Sequence, residues 1–536
     1  MPPTPSTLLD GLNEAQQKAV MTTEGPLLVN AGPGTGKTLT IVRRIAWLVR
    51  KGVPAGNILA VTFTNRAARE MKERTDALLG EAAAPIFIGT FHLLGLRILR
   101  EQGRDFTLLN RDEQAEILKT VVKSGAQALQ QELDRISAYK NALGREARPP
   151  DSYASYQAAL AERGALDFDD LIRLPVELLQ DEGLRRACRE RFTHIIVDEY
   201  QDINPVQERL LRLLCPEQGN LCAVGDADQA IYSFRGADPG NFLDFEKDFS
   251  GGRRIDLVLN YRSTATIVAA ADRVIGRNQK RIAKQLTPTG GQGDPIVLYS
   301  VPDDRGEGAA IIDEIELRMG GMAHEAASES SRLETARRSY RFSDFAVIYR
   351  TNAQARALED AFAASGIPFQ VIGKPNSMQR KEAEETLAFL RALAGTVAGT
   401  DRAQLRPGSP EARLLTEADF FDPRADAVAL LTMHMAKGLE FPVVFVAGCE
   451  DGLVPCTIMK DGIDLEEERR LFYVGMTRAK DQLVLLHARK RFLYGRSLGQ
   501  KTSPFVREIP TGLIESRIVA DRIKKEKPED KQMGLF

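Results

Sequence analysis

The sequence lacks the features that mark a membrane-spanning or secreted protein. No uninterrupted apolar stretch in its 536 residues approaches the roughly 20 residues that span a bilayer. The N-terminus has no basic segment followed by an apolar one, so we expect a cytoplasmic protein with no membrane partner. The five cysteines have neither disulfide-framework nor CxxC zinc spacing, and we interpret them as reduced packing residues.

The chain also has no large excess of positive or of negative charge. The 72 lysines and arginines nearly balance the 74 acidic residues, which gives a net charge of -2. A nucleic-acid groove needs local rather than global positive charge, so this balance neither indicates nor excludes such a partner. A chain of this length divides into several domains, about three or four.

Short apolar runs alternate with longer amphipathic stretches, which is typical of parallel strands covered by helices on both faces. They form two α/β sets on either side of about residue 262, and a mainly helical block lies between residues 96 and 166. Polar segments at 320–340 and 395–426 interrupt the pattern. The apolar runs are 27–29, 58–62, 86–88, 194–197, 221–224, 296–299, 345–349, 443–446 and 483–486.

A phosphate-binding loop is the first chemical motif. It follows the apolar run 27–29 and precedes a helical pattern, the position in which backbone N–H groups and a helix N-terminus bind phosphates. Lys37 is predicted to reach the β- and γ-phosphates of ATP, and Thr38 to ligate Mg²⁺. The loop residues are Ala31, Gly32, Pro33, Gly34, Thr35, Gly36, Lys37 and Thr38.

The second motif is VDEYQD, residues 197–202, which ends the apolar run 194–197. Adjacent carboxylates at a strand end can be a helix cap, but together with a phosphate-binding loop they indicate nucleotide hydrolysis. Asp198 is predicted to hold Mg²⁺, directly or through water, and Glu199 to position and activate the attacking water.

Further motifs follow in a fixed order along nearly the whole chain: LNEAQ at 12–16, AVTFTNRAAREMKER at 60–74, GTFH at 89–92, DFDDLI at 167–172, VGDADQAIYSFRGAD at 224–238, LNYRS at 259–263, TMHMAKGLEF at 432–441 and EEERRLFYVGMTRAK at 466–480. In these motifs and their order the chain resembles superfamily 1 DNA helicases of the UvrD/Rep/PcrA type. The resemblance implies two RecA-like parallel-sheet domains, ATP and Mg²⁺ as cofactors, and a bacterial, nucleoid-associated enzyme.

The resemblance assigns roles to the remaining site residues. Gln16 would read the adenine, Gln229 would sense the γ-phosphate, and Arg478 would act as an arginine finger. The motif at 259–263 would supply Tyr261 for stacking and Arg262 for phosphate, with Glu440 near the ribose. The implied single-stranded DNA contacts are Phe63, Thr64, Asn65, His92, Tyr232, Phe234, Arg235, His434 and, in a separate segment, Phe505.

The domain division implied is 1–95 and 167–262 for domain 1A, 96–166 for helical subdomain 1B, 263–394 and 427–512 for domain 2A, and 513–536 for a flexible tail. Family helicases insert a large 2B subdomain into 2A, whereas here only the linker 395–426 stands in its place. Leu39 occupies the position of an adenine-stacking arginine, and Phe234 that of a tryptophan.

The last five residues, 532–536, resemble the bacterial sliding-clamp-binding pentapeptide. Gln532, Met533, Leu535 and Phe536 would be its contacts, and a frayed terminus is the alternative. For the whole chain we expect a 3′–5′ helicase acting on single-stranded DNA and on single-strand/duplex junctions. The alternatives are a translocase that strips proteins with little unwinding and a scaffold that does not hydrolyse ATP.

Overall fold

The computed structural model describes residues 5–142, 148–216, 218–320, 340–373, 414, 419, 421–457, 462–493, 495–499 and 501–520. The four predicted clamp contacts and most of the segments 320–340 and 395–426 lie outside these residues. Among the residues described, no helix combines the length and apolarity that a membrane crossing requires. The five cysteines are free, and four of them are buried.

The first lobe is built on a six-stranded sheet in the order β3-β2-β6-β7-β1-β8, in which every neighbouring pair is parallel. Its central strands are buried on both faces, as their apolar runs predict. The strands of this half are β1 (Leu27–Ala31), β2 (Ile58–Thr62), β3 (Phe87–Thr90), β4 (Thr107–Leu108), β5 (Ala165–Leu166), β6 (His194–Val197), β7 (Asn220–Gly225), β8 (Arg253–Leu257), β9 (Leu259–Asn260) and β10 (Thr287–Pro288).

The second lobe is built on a seven-stranded sheet in the order β13-β14-β12-β15-β16-β11-β19, again parallel at every pair. The predicted fold class, α/β with two RecA-like parallel-sheet domains, is confirmed; the domain boundaries stay predictions. The strands of this half are β11 (Ile296–Val301), β12 (Phe345–Tyr349), β13 (Phe369–Val371), β14 (Val428–Thr432), β15 (Phe441–Val446), β16 (Ala479–Ala488), β17 (Lys490–Leu493), β18 (Arg496–Gly499) and β19 (Ile514–Ile518).

Helices cover the sheets. They are α1 (Pro5–Leu9), α2 (Glu14–Met21), α3 (Lys37–Arg50), α4 (Asn65–Leu79), α5 (Phe91–Glu101), α6 (Arg111–Val121), α7 (Ala126–Asn141), α8 (Tyr153–Glu162), α9 (Asp170–Leu178), α10 (Glu182–Arg191), α11 (Pro205–Leu214), α12 (Gly240–Leu243), α13 (Phe245–Asp248), α14 (Ala265–Ile275), α15 (Asp304–Arg318), α16 (Asn352–Ser365) and α17 (Leu465–Met476). In open parallel sheets, ligands bind beyond the carboxyl ends of the strands, and the predicted motifs follow β1, β2, β3, β6 and β7 at those ends.

Helices α6, α7 and α8 pack around a small hydrophobic core of their own. A buried ionic network fastens this helical block to the first lobe. Lys140 of α7 donates to Asp167 Oδ2 at 2.6 Å and lies 3.0 Å from Asp170 Oδ1 at the start of α9. Tyr156 of α8 also donates to Asp167, at 3.2 Å.

Candidate nucleotide site and nucleic-acid interface

The phosphate-binding loop has the backbone that its glycines predict. Gly34 and Gly36 adopt left-handed φ values of 69° and 80°, which favour glycine. A Cβ on Gly34 would lie 2.5 Å from Cβ of Arg262, and one on Gly36 would lie 2.7 Å from Nε2 of Gln16. The loop is therefore packed tightly between two other predicted motifs.

Those motifs brace the loop by hydrogen bonds to its carbonyl oxygens. Asn260 donates to the carbonyl of Pro33 at 2.7 Å, and the N–H of Tyr261 donates to the carbonyl of Gly34 at 2.8 Å. Gln16 donates to the carbonyl of Thr35 at 2.9 Å and accepts from the N–H of Asn13 at 3.0 Å. With the carbonyls turned outward and held, the loop N–H groups are left for phosphate.

The two carboxylates of VDEYQD lie at the end of β6. Oδ1 of Asp198 accepts from the N–H of Glu199 at 3.0 Å, and Oδ2 accepts from the hydroxyl of Thr62 at 3.4 Å. Burial, and then the neighbouring charge of Glu199, raise the pKa of Asp198 to about 7. A divalent cation placed here would counter that rise by favouring the ionised carboxylate.

Glu199 has a left-handed backbone, with φ 54° and ψ 43°, and among the residues described it is the only non-glycine with positive φ. Such a conformation costs of order 1–3 kcal/mol and persists where the surroundings hold it. Burial opposes ionisation of Glu199, but the charges of Lys437 and Lys37 lower its pKa below the usual value. Glu199 is thus held as a carboxylate, the form that accepts a proton from water.

The last two residues of VDEYQD hold Glu199 in place, a role that the sequence did not reveal. Gln201 donates to Oε2 of Glu199 at 2.5 Å and accepts from the N–H of Asp226, after β7, at 2.9 Å. Asp202 forms a buried ion pair with Lys437 of the second lobe. Lys437 also donates to the carbonyl of Gln229 at 2.7 Å and lies 3.6 Å from Oε2 of Glu199.

Gln229 and Arg478 meet at the cleft between the lobes. The amide nitrogen of Gln229 donates to Oδ2 of Asp226 at 2.8 Å, and its oxygen accepts from Arg478 Nη2 at 3.3 Å. Arg478 is 2% exposed and also donates to the carbonyl of Val474 at 2.9 Å. Burial, and then the charge of Arg262, lower the pKa of Arg478 to about 9.

Arg262 and Glu440 form a second link across the cleft. Nε of Arg262 donates to Oε2 of Glu440 at 2.7 Å, and Nη1 donates to the carbonyl of Thr477 at 3.1 Å. Burial alone would raise the pKa of Glu440, but the charges of Arg262 and Lys480 lower it to about 2. Nζ of Lys480 lies 2.7 Å from Oε1 of Glu440. Tyr261, predicted to stack on the base, is half exposed, and its hydroxyl accepts from Asn13 at 2.8 Å.

A cavity of about 600 Å³ joins these groups. Its lining comes from both lobes and includes Gln16, the loop residues 32–38, Glu199, Gln229, Tyr261, Arg262, Glu440 and Arg478. Among the described residues no three His, Cys, Asp or Glu side chains are grouped to hold a metal ion. Mg²⁺ bound with phosphate typically takes only one or two protein oxygens, and its coordination by Thr38 and Asp198 stays a prediction.

The predicted DNA-facing residues divide into an aromatic cluster and others. Phe63, after β2, stacks on Tyr232 with ring centroids 4.6 Å apart, and Phe234 lies edge-on to His434 at 5.2 Å. The guanidinium carbon of Arg235 lies 5.7 Å from the ring centroid of Tyr232 and 5.6 Å from that of Phe234. Phe234 is 60% exposed. The cluster therefore joins the two lobes beside the cleft and presents aromatic and cationic surface.

The remaining predicted DNA contacts lie elsewhere. Phe505 is 1% exposed and packs on Phe472, so the prediction that it contacts DNA is wrong: an apolar core claims its ring. Asn65 is also buried, and its amide donates to the carbonyl of Leu414 at 2.8 Å and to Asp419 at 3.0 Å. Both hydrogen bonds use the side-chain amide nitrogen, and a DNA contact by Asn65 stays a prediction.

Thr64 and His92 have local roles. The hydroxyl of Thr64 caps α4 by accepting from the N–H of Ala67 at 3.2 Å. His92 packs edge-on to Phe168 with centroids 6.2 Å apart, and burial lowers its pKa. A DNA contact by either side chain stays a prediction.

Comparison with known proteins agrees with this geometry. The UvrD/REP helicase N-terminal domain family matches residues 12–250, and the UvrD-like helicase C-terminal domain family matches residues 255–399 and 411–490. The chain is 32% identical over 657 residues to the ATP-dependent DNA helicase PcrA of Staphylococcus aureus, which covers 95% of this chain and 88% of that protein.

The chain belongs to the UvrD-like helicase family. The helicase PcrA of Staphylococcus epidermidis gives the same picture, with 32% identity over 658 residues and coverage of 95% and 88%. The two domain matches meet between residues 250 and 255, at the start of β8, and the motif that carries Tyr261 and Arg262 belongs to the C-terminal match. The cavity of this family member thus lies where its N- and C-terminal domains face each other.

Proposed function

We propose that this chain uses ATP hydrolysis to move 3′ to 5′ along single-stranded DNA and to separate duplexes during DNA repair or replication. As a UvrD-like helicase the chain is an ATP-hydrolysing enzyme. The observation that carries the proposal is the single cavity in which Glu199 of the first lobe and Arg478 of the second are brought together. The 3′–5′ direction and the pathway rest on the family resemblance.

In the ATP site each residue has a defined task. Lys37 neutralises the β- and γ-phosphates, and the hydroxyl of Thr38 and the carboxylate of Asp198 hold Mg²⁺, which offsets phosphate charge when bound. Glu199 accepts a proton from the attacking water, because Lys437 and Gln201 hold it ionised and oriented. Tyr261 stacks on the adenine, and Gln16 reads its edge.

The second lobe supplies the charge that stabilises the transition state. Arg478 of the second lobe and Arg262, at the boundary between the lobes, bind the γ-phosphate, and an arginine supplied across a cleft is worth about 10³ to 10⁵ in rate. Gln229 senses the same phosphate and contacts Arg478 at 3.3 Å. Loss of the γ-phosphate removes these contacts, so each turnover changes the separation of the lobes.

The aromatic cluster is the proposed grip on single-stranded DNA. Base–aromatic stacking contributes about 1–3 kcal/mol per base and tolerates any sequence. Phe63 belongs to the first lobe and His434 to the second, with Tyr232 touching both. Relative movement of the lobes would therefore shift the bases that they hold.

A translocase that strips proteins with little unwinding is the second candidate. The alignment with the S. aureus protein runs over 657 residues, more than the 536 of this chain. The S. aureus protein therefore has stretches without a counterpart in this chain. The C-terminal family match also breaks between residues 399 and 411. We propose that a 2B subdomain is missing there, which would weaken the grip on duplex.

The experiment that separates these candidates uses duplexes with a 3′ or a 5′ single-stranded tail. We expect ATP-dependent unwinding of the 3′-tailed substrate only, with displacement of a protein block from single-stranded DNA in the same direction. Displacement without unwinding would favour the translocase. Unwinding from the 5′ tail alone would overturn the proposed polarity.

We also propose that the C-terminal residues 532–536 dock the enzyme on the bacterial sliding clamp. A Gln, aliphatic, Leu-Phe pattern behind a charged tail suits insertion into an apolar pocket, with the tail acting as tether. Deletion of these residues should abolish capture by immobilised clamp and leave DNA-stimulated ATPase unchanged. Capture that survives the deletion would refute the contact.

A further inference from the structure

The segment 276–286, which we call the connector, runs from α14 to β10 and contacts both halves of the ATP site. It contains none of the motifs from which the site was predicted. The connector ends at Leu286, whose Cδ2 would lie 2.5 Å from a Cβ added to Gly32 of the phosphate-binding loop. The connector therefore packs directly against the loop that binds phosphate.

At its start the connector is fixed to α17, the helix that leads to Arg478. Asn278 accepts from Arg469 at 2.8 Å and donates to the carbonyl of Glu466 at 2.9 Å. The N–H of Gln279 donates to the carboxylate of Glu466 at 2.7 Å. These three hydrogen bonds join the two segments within the second lobe.

Near its end the connector neutralises two buried carboxylates of the first lobe. Lys284 is nearly inaccessible and donates to Oδ1 of Asp226 at 2.5 Å and to Oδ2 of Asp228 at 2.9 Å. Arg281 binds Asp228 with two hydrogen bonds, at 3.0 and 2.7 Å. Buried carboxylates are costly unless they are paired, so these two depend on the connector cations.

Asp226 in turn fixes the orientation of Gln229. Its Oδ2 accepts from the amide nitrogen of Gln229, so the amide oxygen must face the other way, toward Arg478 and the cavity. If Asp226 lost its cation it would take up a proton or turn away. Gln229 would then lose the acceptor that sets which end of its amide faces the cavity.

We propose that Lys284 is a positioning residue of the ATP site, which acts through Asp226 to orient Gln229 toward the reacting phosphate. The inference rests on the proposed function, because it assumes that Gln229 acts in ATP hydrolysis. The connector carries Lys284 and is attached to α17, so the placement of Gln229 depends on the placement of the helix that leads to Arg478. The order of contacts is α17, connector, Asp226, Gln229.

The test is steady-state ATP hydrolysis, which gives kcat and KM, on saturating single-stranded DNA with Lys284→Met, Gln229→Ala and the double variant. Supporting groups behind a reacting group typically contribute about 10- to 100-fold, and we expect a fall in kcat of that size for Lys284→Met with little change in KM for ATP. In the Gln229→Ala background the same change should have no further effect. Lys284→Arg should restore part of the rate.

Lys280→Met is the matched control. Lys280 lies in the same connector with its side chain exposed, and only its backbone N–H contacts Glu466, at 3.3 Å. Equal losses from Lys284→Met with and without Gln229 would overturn the proposal, as would an unchanged kcat. If Lys284→Met does not fold, Lys284→Arg in both backgrounds gives the same comparison. Failure of the proposed function would show instead as wild-type enzyme without DNA-stimulated hydrolysis.

Discussion

Lys437 of the second lobe and Asp202 of the first form a buried ion pair directly behind Glu199. Burial lowers the pKa of Lys437, but Asp202 and Glu199 outweigh it and raise that pKa above the usual value. The pair lies at the junction of the lobes, and the same ammonium donates to the carbonyl of Gln229. One lysine therefore joins the water-activating carboxylate to the predicted γ-phosphate sensor.

Removal of this ammonium should damage both stability and turnover. Lys437→Met leaves Asp202 buried without its cationic partner, a change that typically costs about 3–5 kcal/mol, and removes the charge that keeps Glu199 ionised. We expect a lower free energy of unfolding and a lower kcat. Denaturant titration and steady-state ATPase measurements check the two effects.

The control for Lys437 is an exposed pair of the same residue types. Lys247 and Asp244 lie at the surface, where ion pairs contribute little. Lys247→Met should leave unfolding and kcat unchanged. A Lys437→Met enzyme that matches Lys247→Met in both measurements would contradict the role assigned to the buried pair.

Gln201 should affect hydrolysis rather than ATP binding. Its amide holds Oε2 of Glu199 and the N–H of Asp226, so Gln201→Ala frees the carboxylate to rotate. We expect kcat to fall by about 10-fold or more with KM for ATP nearly unchanged.

Gln207→Ala is the control for a purely structural glutamine. Gln207 accepts from the N–H of Asn204 at 3.0 Å in the capping box at the start of α11, and loss of such a hydrogen bond costs about 0.5–1.5 kcal/mol of stability. It should lower the free energy of unfolding without lowering kcat. If both glutamine variants change stability alone, Gln201 has no part in placing Glu199.

Much of this site was predictable because its chemistry depends on local sequence. A loop of the type 31–38, followed by adjacent acids at a strand end, can be recognised from residue types and spacing alone. Lys437 and Lys284 could not be assigned in that way, because their partners lie far away in the sequence and meet them only when the lobes pack. Gln201 lies two positions from Glu199, but its second partner, the N–H of Asp226, follows a different strand. Asp202 is separated from Lys437 by 235 positions.

Prediction of the strands also failed in part, mainly at the edges of the two large sheets. Each predicted apolar run contributes to a strand of the two large sheets, and within those sheets β8, β13, β14 and β19 were missed. Strand β8 has the sequence RRIDL and β19 the sequence IESRI, both with exposed charged residues. Both lie at the edge of a sheet, where a side chain need not be buried and no continuous apolar run is required. Phe505 shows the opposite error: this aromatic in a polar segment was predicted to contact DNA, but its ring is buried in the hydrophobic core.

The stacked pair of Phe63 and Tyr232 should act jointly in DNA binding. Each single change to alanine should weaken binding to a single-stranded oligonucleotide by about 1–3 kcal/mol, and the double change by less than the sum. Fluorescence anisotropy with labelled oligonucleotides measures this. Phe505→Ala should lower stability by about 3–5 kcal/mol and leave DNA affinity of the folded enzyme unchanged.

The reverse pattern of DNA affinities would count against the aromatic cluster as the DNA-binding surface. If Phe505→Ala weakened DNA binding while Phe63→Ala and Tyr232→Ala did not, the aromatic cluster would not be the strand-binding surface. Phe505 would then be a DNA contact despite its burial in the present structure.

His434 should make stability depend on pH. Burial, and then the charge of Arg350, lower its pKa to about 3, below the value of about 6.5 expected in the unfolded chain. The unfolded chain therefore binds more protons between these values, and the free energy of unfolding falls as the pH drops below about 6.5. The contribution of His434 amounts to about 2 kcal/mol between pH 6.5 and pH 5.

Replacement of His434 by asparagine isolates the contribution of His434 to the pH dependence of the free energy of unfolding. The wild-type enzyme should lose more stability than His434→Asn between pH 6.5 and pH 5, with the difference absent above pH 7.5. Urea titrations at each pH give the comparison. Parallel curves for the two proteins would show that His434 can be protonated without cost.

ATPase activity with and without single-stranded DNA tests the central claim, that one cavity between two lobes couples hydrolysis to a DNA strand. We predict strong stimulation by DNA, loss of activity in Lys37→Ala, and a fall of about 10²- to 10⁴-fold in Glu199→Gln. Hydrolysis that is equally fast without DNA, or that survives Glu199→Gln, would contradict the account.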